Sequence, residues 1–527
     1  MVAAHDQAVD QLLARQVTDP ASPWRGGIVD QYGLFHGSGP TALILNYTLS
    51  LALEGSRHRG SSGRLMDHLR LAAAFLDRKL TPDGNIDSLI TNFNSPADTA
   101  FAMDHLAPAL RLARATKGLA DAAALIQPLV ERTAGGVLRG GVHTPNHRWV
   151  MCSALAQAHS VLPHPAYVKR VDEWLAETID IDSDGQYSER STVVYNGIVN
   201  RALCTVALRL NRPELLDPVR RNLAALLYLL HPDYEVVTEI SRRQDLNQRG
   251  TLGNYWLPLR LLAQRDGNGM YETLARRINP GPALLLEYPE LCVGGPMPQA
   301  VPDQYERPFP ASRLVRIRRG ATSATLLTGG NSRLFTLRRG EAIITAVRLA
   351  GAFFGKGQFV PTASGRDGRA YTWSQSLDAG YYQPFGDGTV QPVGVEEWYQ
   401  LRSKRRRTEV SKVEYAARLE EREDGFRLSF SARGTNDLPV ALEINLDGKD
   451  GRLEGCEPVV NAPAGSVLLP AGRTATWTVG SNVIRIGPGR ADHQYTQIRG
   501  AQPKLGGTSI YLTAFAPFEH TLEFRFT

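Results

Sequence analysis

The sequence predicts an α+β multidomain chain: an N-terminal (α/α) toroid of helical hairpins, then an antiparallel β-sandwich. Three observations carry this prediction. Apolar residues recur at helical spacing through the first half. After about Pro280 the texture changes to short β-branched or aromatic runs bounded by turn residues. Between the two, residues 278–310 hold eight prolines, at 280, 282, 289, 296, 298, 302, 308 and 310. Such a stretch is expected to be a linker. The expected division is 1–280 for the toroid, 281–310 for the linker and 311–527 for the sandwich.

Helical periodicity appears over 41–52, 65–80, 97–116, 119–133, 146–161, 167–178, 195–210, 213–230 and 252–264. Short Gly, Pro, Asp and Ser linkers make neighbouring helices pack antiparallel. No repeat of fixed period is visible, which counts against a TPR- or HEAT-type stack and favours a ring of hairpins. Strands are expected over 314–320, 324–328, 333–337, 342–349, 389–400, 411–420, 425–432, 438–446, 474–479, 483–486 and 522–526. Many short strands at close spacing, with no helical pattern between them, read as a sandwich.

A chain of 527 residues exceeds one ordinary core, and 43% hydrophobic with 21% charged residues describes a globular protein. Fifty-nine Lys and Arg against 53 Asp and Glu give a net charge of +6, a mild bias toward polyanionic partners. The densest basic run, Arg-Ser-Lys-Arg-Arg-Arg over 402–407, reads first as a solvated loop and second as a binding patch. No helix-turn-helix, zinc-finger or RNP-type signature accompanies it, so nucleic acid is not an expected partner. Apolar runs such as 41–52 are too short or too polar to span a bilayer, and no membrane partner is expected. No leader pattern is visible; a removed leader would imply a secreted or periplasmic protein, and otherwise a cytoplasmic one is expected. Cys152, Cys204, Cys292 and Cys456 form no Cys-x-x-Cys or Cys/His cluster. Cys152 and Cys204 fall in apolar helical patterns and read as inert core thiols. Neither a disulfide framework nor a metal or other cofactor is predicted.

Two stretches stand out for chemistry. The first is Gly-Val-His-Thr-Pro-Asn-His-Arg-Trp over 141–149. Thr144 as N-cap and Pro145 at the first helical position put Asn146 and His147 in the first turn. Unpaired N–H groups there bind anions and disfavour a protonated imidazole. The second is Asp-Gly-Gln-Tyr-Ser-Glu-Arg-Ser-Thr-Val-Val-Tyr over 184–195, where a turn precedes Tyr187, Glu189, Arg190 and, at the next helix start, Tyr195. Taken alone, Tyr195 reads first as core. Around Asn94-Ser95-Pro96-Ala97-Asp98, Ser95 and Asp98 form a capping pattern, with Asn92 and Asn94 within reach of a ligand. In Ser241-Arg242-Arg243-Gln244-Asp245, the arginines could clamp a carboxylate or pair with Asp245. Together these groups are what is needed to pull a proton from carbon beside a carboxylate. No phosphate loop or nucleophile elbow competes.

Asn-His followed about fifty residues later by Tyr, on a toroid ahead of a sandwich, resembles the heparinase II/III-like polysaccharide lyases. The resemblance spans nearly the whole chain in architecture but only short motifs in residues. It implies β-elimination at a uronic acid, glucuronate by preference, in an acidic glycan. It assigns Asn146, His147 and Tyr195 to catalysis: Asn146 or His147 grips the uronate carboxylate, and Tyr195 is proton donor or base. Tyr187, Glu189, Arg190, Arg148, Trp149, Asn92, Asn94, Arg242 and Arg243 are the expected substrate-binding residues. Many members also use a sandwich histidine, some with a nearby zinc. Here only His493 and His520 lie beyond residue 231, neither in a His-x-His context, a departure from that pattern. Two other readings are a hydrolase drawing two carboxylates from Asp98, Glu189 and Asp245, and a non-catalytic binder of acidic glycans using Trp149 as a stacking platform.

Overall fold

The computed structural model describes residues 2–385 and 393–527, with 60–62 described in backbone only. The chain forms two compact units. One runs to Leu230 and resumes over Tyr234–Pro302; the other comprises His231–Asp233 and Asp303–Thr527.

In the first unit, helices Gly39–Ala52, Pro96–Ala115, Pro145–Val161, Tyr195–Arg209 and Trp256–Asp266 each pack on the next in that order. Each is followed by a partner packed beside it: Ser62–Lys79, Ala120–Arg139, Pro165–Leu175, Leu216–Leu226 and Gly269–Ala275. The first set lines the inside of the toroid and the second the outside, for a reason visible in composition. Pro145–Val161 buries side chains on every side, Trp149, Val150, Met151, Cys152, Leu155 and Ala156 among them. Ala120–Arg139 buries a single stripe through Ala122, Ile126, Leu129, Val130, Thr133 and Val137, as an outer helix should. Because each inner helix returns through an antiparallel partner, all inner helices begin at the same rim. Prolines pre-set the first turns of three of them, at Pro40, Pro96 and Pro145.

Helical stretches expected from 41 to 264 are all present, with shifted ends. The stretch over 213–230 stops at Leu226, and 252–264 opens with the 3-10 turn Gly253–Tyr255. Periodicity missed Val2–Arg15 and Gly269–Ala275; the latter, at seven residues, is too short to show a period, and Asn268 caps it. Within the stretch expected as linker, Gly281–Glu287 is a helix. Glu287 accepts hydrogen bonds from Arg111 (2.9 Å) and Arg209 (2.7 Å), near the far ends of the second and fourth inner helices.

Among the described residues, the second unit is a sandwich of an eight-stranded and a nine-stranded sheet. Strand Arg407–Arg422 shows the alternation that drives it, turning Val413, Tyr415, Ala417 and Leu419 inward and exposing Glu414, Ala416 and Arg418. Phe335 of one sheet meets Phe524 of the other edge-on at 5.4 Å. Ala370–Tyr382 and Thr508–Ala516 are strands that sequence reading missed. Gln304–Phe309 is also a strand, although its prolines suggested linker; it lies at a sheet edge, where Pro308 leaves no ladder bond unmade. The strand expected over 389–400 is corrected in part. Val395–Leu401 is a helix, entered at Gly394, whose N–H is accepted by Glu397 (3.1 Å), while 389–392 fall outside the described residues. Val395, Trp398 and Leu401 are spaced by three, a helical interval that β-propensity masked. Among the described residues, no helix is long and apolar enough to cross a membrane. Cys152 and Cys204 are buried, Cys292 is exposed, and all four thiols are free.

Candidate functional site

The site begins where the third inner helix does. Thr144 takes the extended backbone of an N-cap ahead of Pro145, but its hydroxyl does not cap the helix; Thr144 Oγ1 accepts from Asn146 Nδ2 instead (3.2 Å). Asn146 is 1% exposed, and its Nδ2 also reaches Glu189 Oε1 (3.0 Å) and Oε2 (2.8 Å). Asn146 Oδ1 is buried without a hydrogen-bond partner. Glu189 is brought there by a turn whose next residue, Arg190, has φ +50°, a left-handed backbone that side chains rarely adopt. The turn sends Glu189 inward and lets Arg190 reach Asp182 (3.3 Å).

The fourth inner helix delivers Tyr195. Ser191 Oγ accepts the Tyr195 N–H (3.0 Å) and donates to Asp245 (3.0 Å), which also takes the Val193 N–H (3.3 Å) and the Ser241 hydroxyl. Asp245 thereby ties the 191–193 segment to the arginine loop. That loop places the Arg243 guanidinium 4.8 Å from the Tyr195 ring centroid, with Nη2 at 3.5 Å from the phenol oxygen. Arg243 Nη1 lies 3.5 Å from Glu189 Oε1. Gln244 Nε2 donates to the Tyr195 oxygen at 2.9 Å. Tyr195, Arg243, Glu189 and Asn146 therefore form one continuous chain of contacts. Both contacts to Tyr195 use its oxygen as acceptor, so the phenolic hydrogen is left uncommitted. Burial works against the Arg243 charge, yet Tyr195, Glu189 and Asp245 outweigh it and raise its pKa.

His147 is 7% exposed, edge-on to His143 (4.8 Å) and Phe101 (6.1 Å), and its Nδ1 is buried without a partner. Burial first, then His143 and Arg243, lower its pKa to about 4, against the opposing pull of Asp98. The imidazole is neutral near pH 7 and able to accept a proton. An unperturbed histidine takes its proton near 6.5 and folded His147 only near 4, so between those values the unfolded chain binds more protons and stability rises with pH. At roughly 1.4 kcal/mol per pKa unit, wild type gains about 3 kcal/mol from pH 4 to 6.5 through this residue. Urea unfolding of His147→Gln should lack that increment; an unchanged pH dependence would place the proton elsewhere.

The remaining expected residues separate clearly. Arg242 is exposed beside the site, donating to Ser188 O (3.1 Å), and its N–H holds the Glu189 carbonyl (2.9 Å). Asn92 supports Asp98 (2.9 Å), which also takes the Ser95 hydroxyl (2.6 Å). Asn94 is committed to its loop: Oδ1 accepts from Thr81 (2.7 Å) and Asn85 (3.1 Å), and Nδ2 donates to Asp83 (2.7 Å). Three expectations are corrected. Trp149 is fully buried with its indole N–H on Asp180 (2.8 Å), so it cannot be a stacking platform. Tyr187 is buried and donates to Asn200 (2.8 Å), placing it in the core. Arg148 stacks on Trp149 and pairs with Glu177 and Asp180, both at 3.0 Å. Sequence reading missed Gln244, His143 and Phe101 as members of the site. His143 lies four residues before His147, a local signal that was present but ambiguous.

A zinc of the kind the resemblance allows would draw on the sandwich histidines, and each ring already spends its Nε2. His493 Nε2 is engaged with Ala514 O (3.0 Å) and His520 Nε2 with Pro488 O (2.9 Å). Among the described residues, no group of three or more His, Cys, Asp or Glu is placed to hold a metal ion.

No protein-family model and no curated sequence matches the chain. Solved structures do match. The chain is similar to the chondroitin AC lyase of Streptomyces coelicolor A3, at 13% identity over 100% of this chain and 79% of that one, with a TM-score of 0.56. It is similar to heparinase III, at 12% identity over 99% and 82%, with a TM-score of 0.53. A Paenibacillus xanthan lyase matches at 9% identity over 99% of this chain and 57% of its own, with a TM-score of 0.57. At these identities the likeness is one of fold: a helical toroid followed by a β-sandwich, the architecture of polysaccharide lyases.

Proposed function

We propose that this chain is a polysaccharide lyase that cleaves a 1,4-bond to a uronic acid, glucuronate by preference, by β-elimination. The contact chain Tyr195–Arg243–Glu189–Asn146, beside a neutral His147 at the rim of a lyase-type toroid, is the observation that carries this reading. Elimination must neutralise the carboxylate, remove the C5 proton and protonate the leaving oxygen at C4. Arg243 and the helix start at Asn146 supply positive potential for the first task. His147, uncharged and near-buried, takes the C5 proton. Tyr195, whose hydrogen is free, protonates the leaving oxygen, with Arg243 and Gln244 supporting the phenol oxygen when it carries charge. Where both transfers occur on one face of the ring, Tyr195 performs both: its own hydrogen first passes to solvent or to His147, the phenolate held by Arg243 and Gln244 takes the C5 proton, and that proton then goes to the leaving oxygen.

A hydrolase would need a second carboxylate at a set distance. Asp98 is held by Ser95 and Asn92 and Asp245 by two serines, leaving Glu189 alone in the cluster. The test is a panel of uronate polysaccharides incubated with the protein, following ultraviolet absorbance and product mass. A 4,5-unsaturated uronate is expected. New reducing ends without absorbance would mean hydrolysis, and retention without products would mean a binding protein.

A further inference from the structure

Asn146 presents an unsuitable face to an anion. Its Nδ2 is engaged by both oxygens of Glu189 and by Thr144, and the group left over, Oδ1, is a buried acceptor without a partner. A carbonyl oxygen repels a carboxylate. Glu189 dictates this orientation, because an ionised carboxylate offers only acceptors and the amide must turn its N–H groups toward it. A proton on Glu189 reverses the demand. The acid then donates an O–H, which Asn146 Oδ1 accepts after a half-turn about the soft terminal torsion of the amide. Nδ2 then points where the unpartnered oxygen lay.

We propose that Glu189 is a proton-operated positioning residue: taking up one proton from solvent, it turns the Asn146 amide and converts a buried acceptor into a donor for the substrate carboxylate. This rests on the uronate reading above. The charge balance is simple, since the ligand brings one negative charge and the proton one positive, leaving the site's net charge unchanged. Glu189 has Arg243 at 3.5 Å and the Asn146 amide within hydrogen-bond reach, and Arg242 touches it through its backbone N–H, while the Asp180 and Asp245 carboxylates, each bonded elsewhere, act on it through their charge. Burial raises the Glu189 pKa, opposed by the Asn146 hydrogen bond and Arg243 and assisted by Asp180 and Asp245. An arriving carboxylate adds a like charge, and turning the amide removes the bond that favours ionisation, so both changes raise it further.

The test is calorimetric titration of the full chain with D-glucuronate from pH 6 to 8, in two buffers of different ionisation enthalpy. Wild type should take up one proton per ligand bound, and above the Glu189 titration its Kd should weaken about tenfold per pH unit. His147 is neutral across this range before the ligand arrives, and any proton it gains on binding persists in Glu189→Gln, so the variant separates the two groups. Glu189→Gln carries an amide that donates to Asn146 Oδ1, locking the turned state. It should bind without proton uptake, with a pH-independent Kd at least about tenfold tighter than wild type at pH 8. Wild-type binding with no uptake, or a Glu189→Gln variant that folds yet binds more weakly than wild type at pH 8, overturns the switch and leaves the uronate reading intact. Absence of glucuronate binding at every pH, together with a negative glycan panel, removes both. Should Glu189→Gln fail to fold, the proton count of His147→Gln decides: one proton still taken up per ligand supports the switch, and none overturns it.

Discussion

Replacing Tyr195 with Phe should lower kcat roughly a thousandfold, the scale of a lost proton-transfer group, while the melting temperature should stay within a few degrees. The ring keeps its place under the Arg243 guanidinium at 4.8 Å, so packing and the cation–π contact persist. What disappears is the hydroxyl, whose oxygen only accepts from Gln244 and Arg243 at the half-exposed edge of the site. KM should change little, because Arg243 and Asn146 remain to meet the carboxylate. Initial rates and a thermal melt on the same preparation separate chemistry from folding. Full turnover by the variant would leave His147 as the sole proton carrier, since Tyr187 is closed into the core.

Asn146→Asp is the most damaging single-atom change available at this site. It sets a second carboxylate about 3 Å from that of Glu189, where the Nδ2 contacts at 3.0 and 2.8 Å now lie, in a place 1% exposed. Two such groups cannot both ionise, so one proton is retained and the folded-state pKa of the pair rises above the unfolded value near 4. Stability conferred by that retained proton is fully present below about pH 4 and is lost as pH rises through the raised folded value. The variant should approach wild-type stability in acid and fall short by roughly 3 kcal/mol at pH 7. Loss of the amide that would turn to meet the substrate carboxylate should also reduce kcat/KM on the order of a hundredfold or more. Chemical unfolding at pH 4 and pH 7 checks the first effect; a deficit independent of pH would show that charge repulsion is not its cause.

Much of the architecture was legible because its signals are long. Inner helices such as Pro145–Val161 are apolar on nearly every side, outer ones such as Ala120–Arg139 carry a stripe, and both patterns extend over several turns. Short or edge elements escaped: Gly269–Ala275 is too brief to show a period, and Pro308 disguised a strand whose edge position makes proline harmless. Within the site, Asn146, His147, Glu189, Tyr195 and Arg243 could be named from capping and turn chemistry. Their mutual roles could not. That the Asn146 amide faces Glu189 depends on a turn through a left-handed Arg190, and no local pattern announces which way such a turn throws its neighbours. Trp149 and Tyr187 misled because an aromatic in a first helical turn or in the loop ahead of one looks the same in sequence whether it faces a cleft or the core.

Parallel alignment of the inner helices has an effect that no side chain controls. Peptide dipoles of five such helices end their positive poles around one opening. Attraction for anions is thus written into the main chain itself, and substituting the side chains proposed for catalysis should leave it standing. Variants silenced in chemistry should still gather glycan at this mouth, most strongly at low ionic strength, where counterions do least to mask the field.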